Sequence, residues 1–229
     1  MITPTQRLKR GETYWQLLLI IVLLPLLQSC AHGSRNIDSY IQALERGERD
    51  EYQKPEEVIA ALHIQPGMTI ADIGSGSGYF TRRLAKEVGA TGKVLATDVE
   101  QKMLDYNQKA IDQQGLSGRV TFLRTNPEDP ALPPHSIDLI FICNVYHHLK
   151  NPSSFLEKAK SALSVNGRVV IIDFYHDERS GKLGFSKHHL VPEETVIKQM
   201  QEAGFTLSRR ETFLPRQYFL EFVPHPSKS

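Results

Sequence analysis

The segment ADIGSGSGYF, residues 71–80, combines an acid, a serine and three alternating glycines: Asp72, Gly74, Ser75, Gly76 and Gly78. Glycine adopts backbone conformations closed to other residues and lets a ligand approach the main chain closely. A second acid, Asp98, ends the next apolar run, and one carboxylate can accept hydrogen bonds from both hydroxyls of a ribose. Together these residues predict a site for a ligand that contains a ribose.

Two phosphate-binding motifs do not fit the glycine segment. The dinucleotide fingerprint GxGxxG requires glycine at the position of Tyr79, and the phosphate-loop sequence GK followed by Ser or Thr is absent. Glycines in a strand-to-helix turn also occur for backbone reasons alone. The prediction therefore depends on the joint pattern with Asp72 and Asp98, and it indicates a ligand that needs no pyrophosphate site.

Apolar runs alternate with helical periodicity around this segment. Strands are predicted at 68–73, 93–98, 119–124, 137–143 and 168–173, and helices at 79–89, 100–115 and 152–164. This alternation is typical of a parallel sheet covered by helices on both faces. Because the carboxyl ends of such strands form the ligand crevice, we expect the glycine segment and Asp98 side by side there.

The pattern changes after Asp173. A helix is predicted at 192–205, followed by strands at 206–213 and 217–223. The link at 214–216 is so short that these two strands can pair only antiparallel. The sequence therefore predicts a parallel sheet completed by an antiparallel hairpin.

From about Tyr52 to Val223 the sequence resembles the class I S-adenosylmethionine-dependent methyltransferases. The resemblance rests on ADIGSGSGYF, VLATDVEQKML, TNPEDPALP, IDLIFICNVYHHL and NGRVVIIDF. It implies a Rossmann-like, doubly wound α/β sheet of seven strands with the last strand antiparallel, and S-adenosyl-L-methionine as the cofactor. Tyr52 and Gln53, at its upstream end, either line the cofactor mouth or only pack a peripheral helix.

The resemblance also implies roles for single residues. Asp72 and the glycines would enclose the methionine part of the cofactor, and Asp98 would hold its ribose. Val99 would lie against the adenine ring, Asn126 would reach the adenine amino group, and Asn144 would begin the loop beneath the sulfonium. Asn126 stands where the family more often has Asp, which weakens that one contact.

Candidate groups for the methyl acceptor follow the fourth and fifth predicted strands. Methyl transfer is an in-line displacement, so orientation supplies most of the acceleration and a base is needed only for a protonated acceptor. The candidate catalytic residues are Tyr146, His147 and Asp173, with Tyr175 and the pair His188–His189 expected nearby. A purely structural His147, which caps or packs its loop, is the alternative.

Composition excludes several other classes of protein. A chain of 229 residues that is 40% hydrophobic and 23% charged suits one globular domain with an appendage. The formal net charge is +1 and no basic run is interleaved with aromatics, so no nucleic-acid partner is expected. No metal is expected either, because the histidines lack a compact ligand spacing such as HExxH. Cys143 is interpreted as a core residue, too far from Cys30 for a disulfide.

The N-terminus has the features of an export signal. Arg7, Lys9 and Arg10 precede an apolar stretch at 17–27, which is shorter than the ~20 residues of a spanning helix. LQSC, which ends at Cys30, resembles the bacterial lipoprotein cleavage box and implies lipidation of that cysteine. We therefore expect a membrane-anchored lipoprotein that faces the periplasm. An uncleaved anchor is an alternative, and a wrong start site would instead leave the protein in the cytoplasm.

The predicted organisation is a signal peptide at 1–29, a tether and N-terminal helix at 30–50, a methyltransferase domain at 51–225 and a tail at 226–229. Three functions are compatible with it. The first is S-adenosylmethionine-dependent methyl transfer to a small-molecule acceptor. The second is an NAD(P)-dependent oxidoreductase, which Tyr79 disfavours. The third is a membrane-tethered, non-catalytic cofactor-binding protein. The export signal favours this third function, because the cofactor is made in the cytoplasm and its supply to an exported domain is doubtful.

Overall fold

The computed structural model describes residues 36–183 and 186–225. Apart from Asn36, all of them belong to the unit Ile37–Ser229. The predicted signal peptide, Cys30 and the predicted tail at 226–229 lie outside the described residues. No helix within the described ranges is long and apolar enough to cross a membrane.

Within the described residues, seven strands form a single sheet. They are β1 Thr69–Ile73, β2 Lys93–Asp98, β3 Val120–Arg124, β4 Ile137–Cys143, β5 Leu163–Phe174, β6 Phe205–Glu211 and β7 Gln217–Pro224. Their order across the sheet is β3-β2-β1-β4-β5-β7-β6. The first five strands pair parallel, and β7 runs antiparallel to both β5 and β6. The predicted fold class, a doubly wound sheet of seven strands with the last strand antiparallel, is confirmed.

Seven α-helices accompany the sheet in the described part of the chain. They are α1 Ile37–Leu44, α2 Glu48–Gln53, α3 Pro55–Ala61, α4 Thr81–Glu87, α5 Gln101–Gln113, α6 Pro152–Ala162 and α7 Glu193–Glu202. The last four follow the predicted helices closely. The start of α6 shows why: Asn151 accepts a hydrogen bond from the N–H of Ser154, and proline occupies the first turn.

Strand β5 begins earlier than the sequence predicts. The apolar pattern indicates a strand from Arg168, whereas pairing with β4 already starts at Leu163. The register shifts in between, and Val165 protrudes from this bulge with 99% of its surface exposed. A bulge adds residues to one strand, so the period-two alternation on which the prediction depends is interrupted there.

The inner strands are buried on both faces. Ile140 and Ile171 belong to one apolar cluster, and their neighbours Phe141 and Ile172 belong to another. Successive side chains of a strand point to opposite faces, so the two clusters lie on opposite sides of the sheet. The strand ends are therefore the part of the sheet that is left to carry polar groups.

Candidate active site

The glycine loop, residues 74–78, joins β1 to α4 in a backbone conformation that favours glycine. Gly74, Gly76 and Gly78 have φ angles of 62°, 53° and 86°. Residues with a Cβ rarely adopt this region, because the Cβ approaches a backbone carbonyl. The loop is therefore specified by its backbone before any ligand is considered.

Two of the three glycines are also required by packing inside the protein. A Cβ on Gly74 would lie 2.5 Å from a methyl group of Val145, and a Cβ on Gly78 would lie 2.1 Å from Asn107 Oδ1. The middle glycine differs, because its Cβ would first meet a methyl group of Leu44 in α1, at 3.4 Å. Gly76 thus faces helix α1, which covers the loop, and Gly74 and Gly78 face the body of the domain.

Asp98 ends β2 directly beside the glycine loop, as predicted. Its Oδ2 accepts a hydrogen bond from the N–H of Gly76 at 2.9 Å, and its Oδ1 accepts one from the N–H of Glu100 at 2.9 Å. Burial raises the pKa of this carboxyl, and the backbone N–H groups oppose the rise. Val99 presents 41% of its surface next to the carboxylate, and the side chain of Asn126, exposed after β3, closes a local turn.

Asp72 is buried beneath the loop and bonded within the protein. Thr81 Oγ1 donates to Asp72 Oδ2 at 2.6 Å, and Asn107 Nδ2 donates to Thr81 Oγ1 at 3.0 Å. The same amide nitrogen lies 3.3 Å from Ser75 Oγ. Burial raises the pKa of Asp72 to about 7; the Thr81 bond opposes this rise and the nearby Asp98 adds to it. This chain of bonds fastens the loop to α4 and α5.

Three carboxamides close a hydrogen-bonded ring at the carboxyl end of β4. Asn144 Nδ2 donates to Gln53 Oε1 at 3.1 Å, Gln53 Nε2 donates to Gln217 Oε1 at 3.0 Å, and Gln217 Nε2 donates to Asn144 Oδ1. We call this set the amide ring. Asn144 has a φ of 58°, a conformation that Asn tolerates better than most residues. The ring joins α2, the loop after β4 and the start of β7.

The predicted catalytic residues lie next to the ring, but their side chains are enclosed. His147 Nδ1 is 2.8 Å from Asp173 Oδ1, and the N–H of His147 donates to Asp173 Oδ2 at 3.1 Å. The His147 side chain is 4% exposed and the Asp173 side chain is fully buried. Tyr146 is also fully buried, and its hydroxyl donates to Gln199 Oε1 at 2.8 Å. The structure brings His147 and Asp173 together, and it packs Tyr146 into the core.

Helix α2 places three side chains over the strand ends. Arg49, Tyr52 and Gln53 are spaced i, i+3 and i+4, which puts them on one side of the helix. Gln53 enters the amide ring. The Arg49 guanidinium, 9% exposed as a residue, donates to the Leu44 carbonyl at 3.0 Å and lies 3.8 Å above the centre of the Tyr79 ring. Helix α2 thus holds Tyr52 and Gln53 at the carboxyl edge of the sheet.

Arg49 is a nearly buried cation that has no carboxylate partner among the described ion pairs. Its charge lowers the pKa values of Asp72 and Tyr52, although burial dominates and raises both. Burial of a guanidinium is costly unless an anion or several hydrogen bonds compensate. Arg49 therefore marks a place where an anionic ligand group would be stabilised.

Helix α1 is fastened to the glycine loop. Ser77 Oγ donates to a carboxylate oxygen of Glu45 at 2.5 Å, and the Arg82 guanidinium donates to the other oxygen at 2.8 Å. These bonds hold Leu44 against the middle glycine. The segment 30–50, which is predicted as a tether and an N-terminal helix, thus includes helix α1, which covers the glycine loop.

The remaining candidate residues are not all gathered at this site. Tyr175 follows β5, with its ring 6.0 Å from that of Tyr218. His188 and His189 are exposed in a short 3₁₀ turn, Lys187–His189, and their backbone contacts are with Ser186. Within 36–183 and 186–225, no group of three or more His, Cys, Asp or Glu residues is arranged to hold a metal ion.

The sequence pattern of the family described as "Methyltransferase domain" matches residues 64–207. A structure titled as a SAM-dependent methyltransferase from Aquifex aeolicus is 29% identical, with a TM-score of 0.75, over 80% of this chain and 96% of that one. A methyltransferase of Haloferax volcanii, solved with its Trm112 activator, shares the fold at 16% identity and a TM-score of 0.68. The chain belongs to the methyltransferase-domain family, and its domain is a class I S-adenosylmethionine-dependent methyltransferase domain.

The curated relatives are more distant. Ubiquinone/menaquinone biosynthesis C-methyltransferases of Hydrogenovibrio crunogenus and Pseudoalteromonas translucida are 29% and 26% identical over 111 and 139 residues. These alignments cover 48% and 59% of this chain, and 44% and 55% of the relatives. The chain therefore spans about half the length of the curated relatives that it matches.

Proposed function

We propose that this protein transfers a methyl group from S-adenosyl-L-methionine to a small-molecule acceptor. The observation that carries the proposal is the contact between Asp98 and Gly76, which unites the glycine loop and the acid of the second strand in one binding surface. Bound there, the cofactor supplies an electrophilic methyl group on a positively charged sulfur. The residues of the chain bind it, orient it and exclude water.

The side chains around the loop fit the parts of this cofactor. Asp98 can accept hydrogen bonds from the ribose hydroxyls, and the exposed Val99 offers the adenine an apolar surface. Asn126, exposed at the end of β3, can reach an adenine edge. Arg49 is suited to the methionine carboxylate, because it is a nearly buried cation above the loop. The ribose, the adenine and the methionine carboxylate of the cofactor thus each have a partner of matching charge or polarity.

On the acceptor side, the protein contributes positioning. The amide ring fixes Asn144, which follows β4 directly, and Asp173 fixes the ring of His147. Since a carboxylate only accepts hydrogen bonds, the neutral His147 ring would carry its proton on Nδ1. Whether His147 acts as a base depends on the acceptor, because only a protonated nucleophile needs one.

Two features favour a small acceptor. The near-neutral formal charge of +1 does not favour a nucleic-acid acceptor, because binding to phosphates needs an excess of positive charge. The curated relatives are named for quinone biosynthesis, in which the acceptor is a small molecule. Quinone precursors are therefore one set of acceptor compounds to test.

Calorimetric titration of the purified protein with S-adenosylmethionine, S-adenosylhomocysteine and NAD tests the cofactor. We expect binding of the first two and none of NAD; binding of NAD alone would support the oxidoreductase alternative. Transfer of a radiolabelled methyl group to small-molecule and macromolecular fractions of a cell extract then tests turnover. Cofactor binding without transfer to either fraction would favour the non-catalytic, membrane-tethered alternative.

We also propose that the mature chain is anchored by lipid on Cys30. The support is the charged N-terminus, the short apolar stretch and LQSC. Cys30→Ser should leave an unprocessed precursor and remove palmitate labelling, whereas Cys143→Ser should change neither. An alkaline phosphatase fused after Ser229 is active only when exported. An inactive fusion at normal expression would place the protein in the cytoplasm and contradict the proposal.

A further inference from the structure

A second arginine lies at the carboxyl edge of the sheet, on the acceptor side. Arg216 immediately precedes β7, whose first residue, Gln217, pairs with Phe174 at the end of β5. The Arg216 guanidinium lies 5.2 Å from the centre of the Tyr52 ring, and a Cβ on Gly181 would lie 3.7 Å from its central carbon. The side chain is half-buried, and its guanidinium lies near both the Tyr52 ring and Gly181.

None of the described ion pairs or side-chain hydrogen bonds includes the Arg216 guanidinium. Two acidic residues of the segment that follows β5 have other partners. Asp177 pairs with Arg179 at 2.6 Å, and Glu178 pairs with Lys187 at 3.3 Å. Their negative charge is thus already balanced by other cations of the same segment.

Arg216 and Tyr52 flank the amide ring from two different elements. Gln53, the neighbour of Tyr52, and Gln217, the neighbour of Arg216, both bond to Asn144 at the end of β4. The Tyr52 ring packs against Phe174, with ring centres 5.9 Å apart. A cation, a phenol and an apolar ring therefore surround one side of the position after β4 where the acceptor must be held.

We propose that Arg216, with Tyr52, binds an oxyanion of the methyl acceptor, so that the substrate is a small, partly apolar acid. This inference rests on the proposed function. A guanidinium presents donors in a planar fork that suits a carboxylate or a phosphate, and Tyr52 adds one hydroxyl donor. Phe174 would contact the apolar part of the acceptor.

The cofactor does not account for Arg216. Near the glycine loop, Arg82 and Arg83 pair with carboxylates, whereas Arg49 has no carboxylate partner among the described ion pairs and contacts Tyr79 on the β1 side of the amide ring. Arg216 lies near Tyr52 and Gly181, on the β5 and β7 side. Arg49 and Arg216 are thus arranged for two different anionic groups.

The test uses the full-length protein saturated with S-adenosylhomocysteine and three fluorinated probes observed by ¹⁹F NMR: 4-fluorobenzoate, 4-fluorophenyl phosphate and the neutral 4-fluorobenzamide. We expect at least one anionic probe to bind about tenfold or more tightly than the amide, which offers no charge to the guanidinium. The anion that binds better identifies the oxyanion as a carboxylate or a phosphate. Equal binding of all three probes would overturn the proposal.

Matched variants locate the effect. Arg216→Met should weaken the favoured anion about tenfold or more and leave the amide unchanged, while Arg216→Lys should retain part of the affinity through its charge. Lys182→Met removes an exposed cation next to Gly181 and should change the affinity less than about twofold. An equal loss of anion affinity in Lys182→Met would mean that the overall positive charge of this surface attracts the probe. That result would overturn the assignment of the binding site to Arg216.

The two proposals can fail separately. If the wild-type protein does not bind S-adenosylhomocysteine, the proposed function fails, whatever the probes do. If it binds S-adenosylhomocysteine and Arg216→Met binds the anions as the wild type does, only the acceptor inference fails. Unchanged S-adenosylhomocysteine affinity in Arg216→Met shows that the variant is folded.

Discussion

The backbone N–H of Gly76 donates to Asp98 Oδ2 over 2.9 Å, and this bond makes the glycine loop and the end of β2 one structural unit. The acid that would hold the ribose is also the acid that fixes the middle of the loop. A change at either residue is therefore expected to affect both parts of the cofactor site.

Asp98→Asn should weaken S-adenosylmethionine binding by about 1.5–3 kcal/mol, because the charge-assisted bonds to the ribose are lost. One oxygen remains to accept from the backbone, so the fold should persist. Calorimetric titration measures the change. Glu100→Gln removes an exposed charge two residues away and serves as the control. Equal S-adenosylmethionine affinity of Asp98→Asn and the wild type would contradict the assignment of the cofactor site.

Gly76→Val should abolish measurable cofactor binding. The φ of 53° disfavours any side chain by about 1–2 kcal/mol, and the first atom of that side chain already meets Leu44 at 3.4 Å. Gly76→Ala should have a smaller effect, and adding Leu44→Ala should recover part of it.

Gly118→Ala is the matched control for the glycine loop, because no atom lies within 4 Å of the added Cβ. Its cofactor affinity should equal that of the wild type. Normal binding by Gly76→Val would mean that the loop is only a turn.

Asp72 should make folding stability depend on pH. Its folded-state pKa of about 7 exceeds the ordinary 3.8, so between these values the folded protein binds more protons than the unfolded chain. The free energy of unfolding therefore falls as pH rises from about 4 to about 7, by at most about 4 kcal/mol. Asp72→Asn cannot ionise and should lose this contribution.

Urea unfolding of both proteins at pH 4.5, 6 and 7.5 measures the effect. Relative to the wild type, Asp72→Asn should gain stability as the pH rises. Glu87→Gln, exposed at the end of the same helix that carries Thr81, should follow the wild type at every pH. Parallel pH profiles for Asp72→Asn and the wild type would show that burial does not perturb this carboxyl.

Arg49→Met should weaken S-adenosylmethionine about 10- to 100-fold, because it keeps an apolar stem over Tyr79 but removes the charge. Methylthioadenosine lacks the methionine carboxylate, and its affinity should change less than twofold. Arg46→Met removes an exposed cation from the preceding turn and should affect neither ligand. If both ligands weakened equally in Arg49→Met, Arg49 would hold the helix rather than the carboxylate.

The neutral His147 ring should carry its proton on Nδ1, because Asp173 lies 2.8 Å from that nitrogen and a carboxylate cannot donate. ¹⁵N chemical shifts of the ring report the tautomer, and the exposed His135 provides a reference in the same spectrum. In Asp173→Asn the amide group can donate, so the tautomer preference should weaken. Protonation on Nε2 in the wild type would contradict the positioning role.

The local pattern of the sequence predicts the sheet well. The sequence predicts β4 at 137–143, and the strand is found at Ile137–Cys143, because an inner strand buried on both faces is a continuous apolar run between polar turns. The sequence also predicts that the glycine loop and Asp98 lie side by side, because the carboxyl ends of neighbouring parallel strands meet at one edge of the sheet.

The rest of the site depends on contacts between residues far apart in the chain. Gln53 donates a hydrogen bond to Gln217, which lies 164 positions later in the sequence. Local hydrophobic periodicity cannot predict a pair of residues so far apart. Arg49 matters because folding places it over Tyr79 and beside Asp72, whereas in the sequence it is one charge among many. The spacing of Arg49, Tyr52 and Gln53 on one helix face was the one available signal.

The amide ring has a consequence for the chemical lifetime of the protein. A carboxamide does not titrate, so Gln53, Asn144 and Gln217 keep their directions across a pH range in which Asp72 changes charge. Their weakness is deamidation, which replaces an amide that donates and accepts with a carboxylate that only accepts. One such event at Asn144 would remove the donor to Gln53 and open the ring, without touching Asp98, Val99 or Asn126, the residues proposed to bind the cofactor's ribose and adenine.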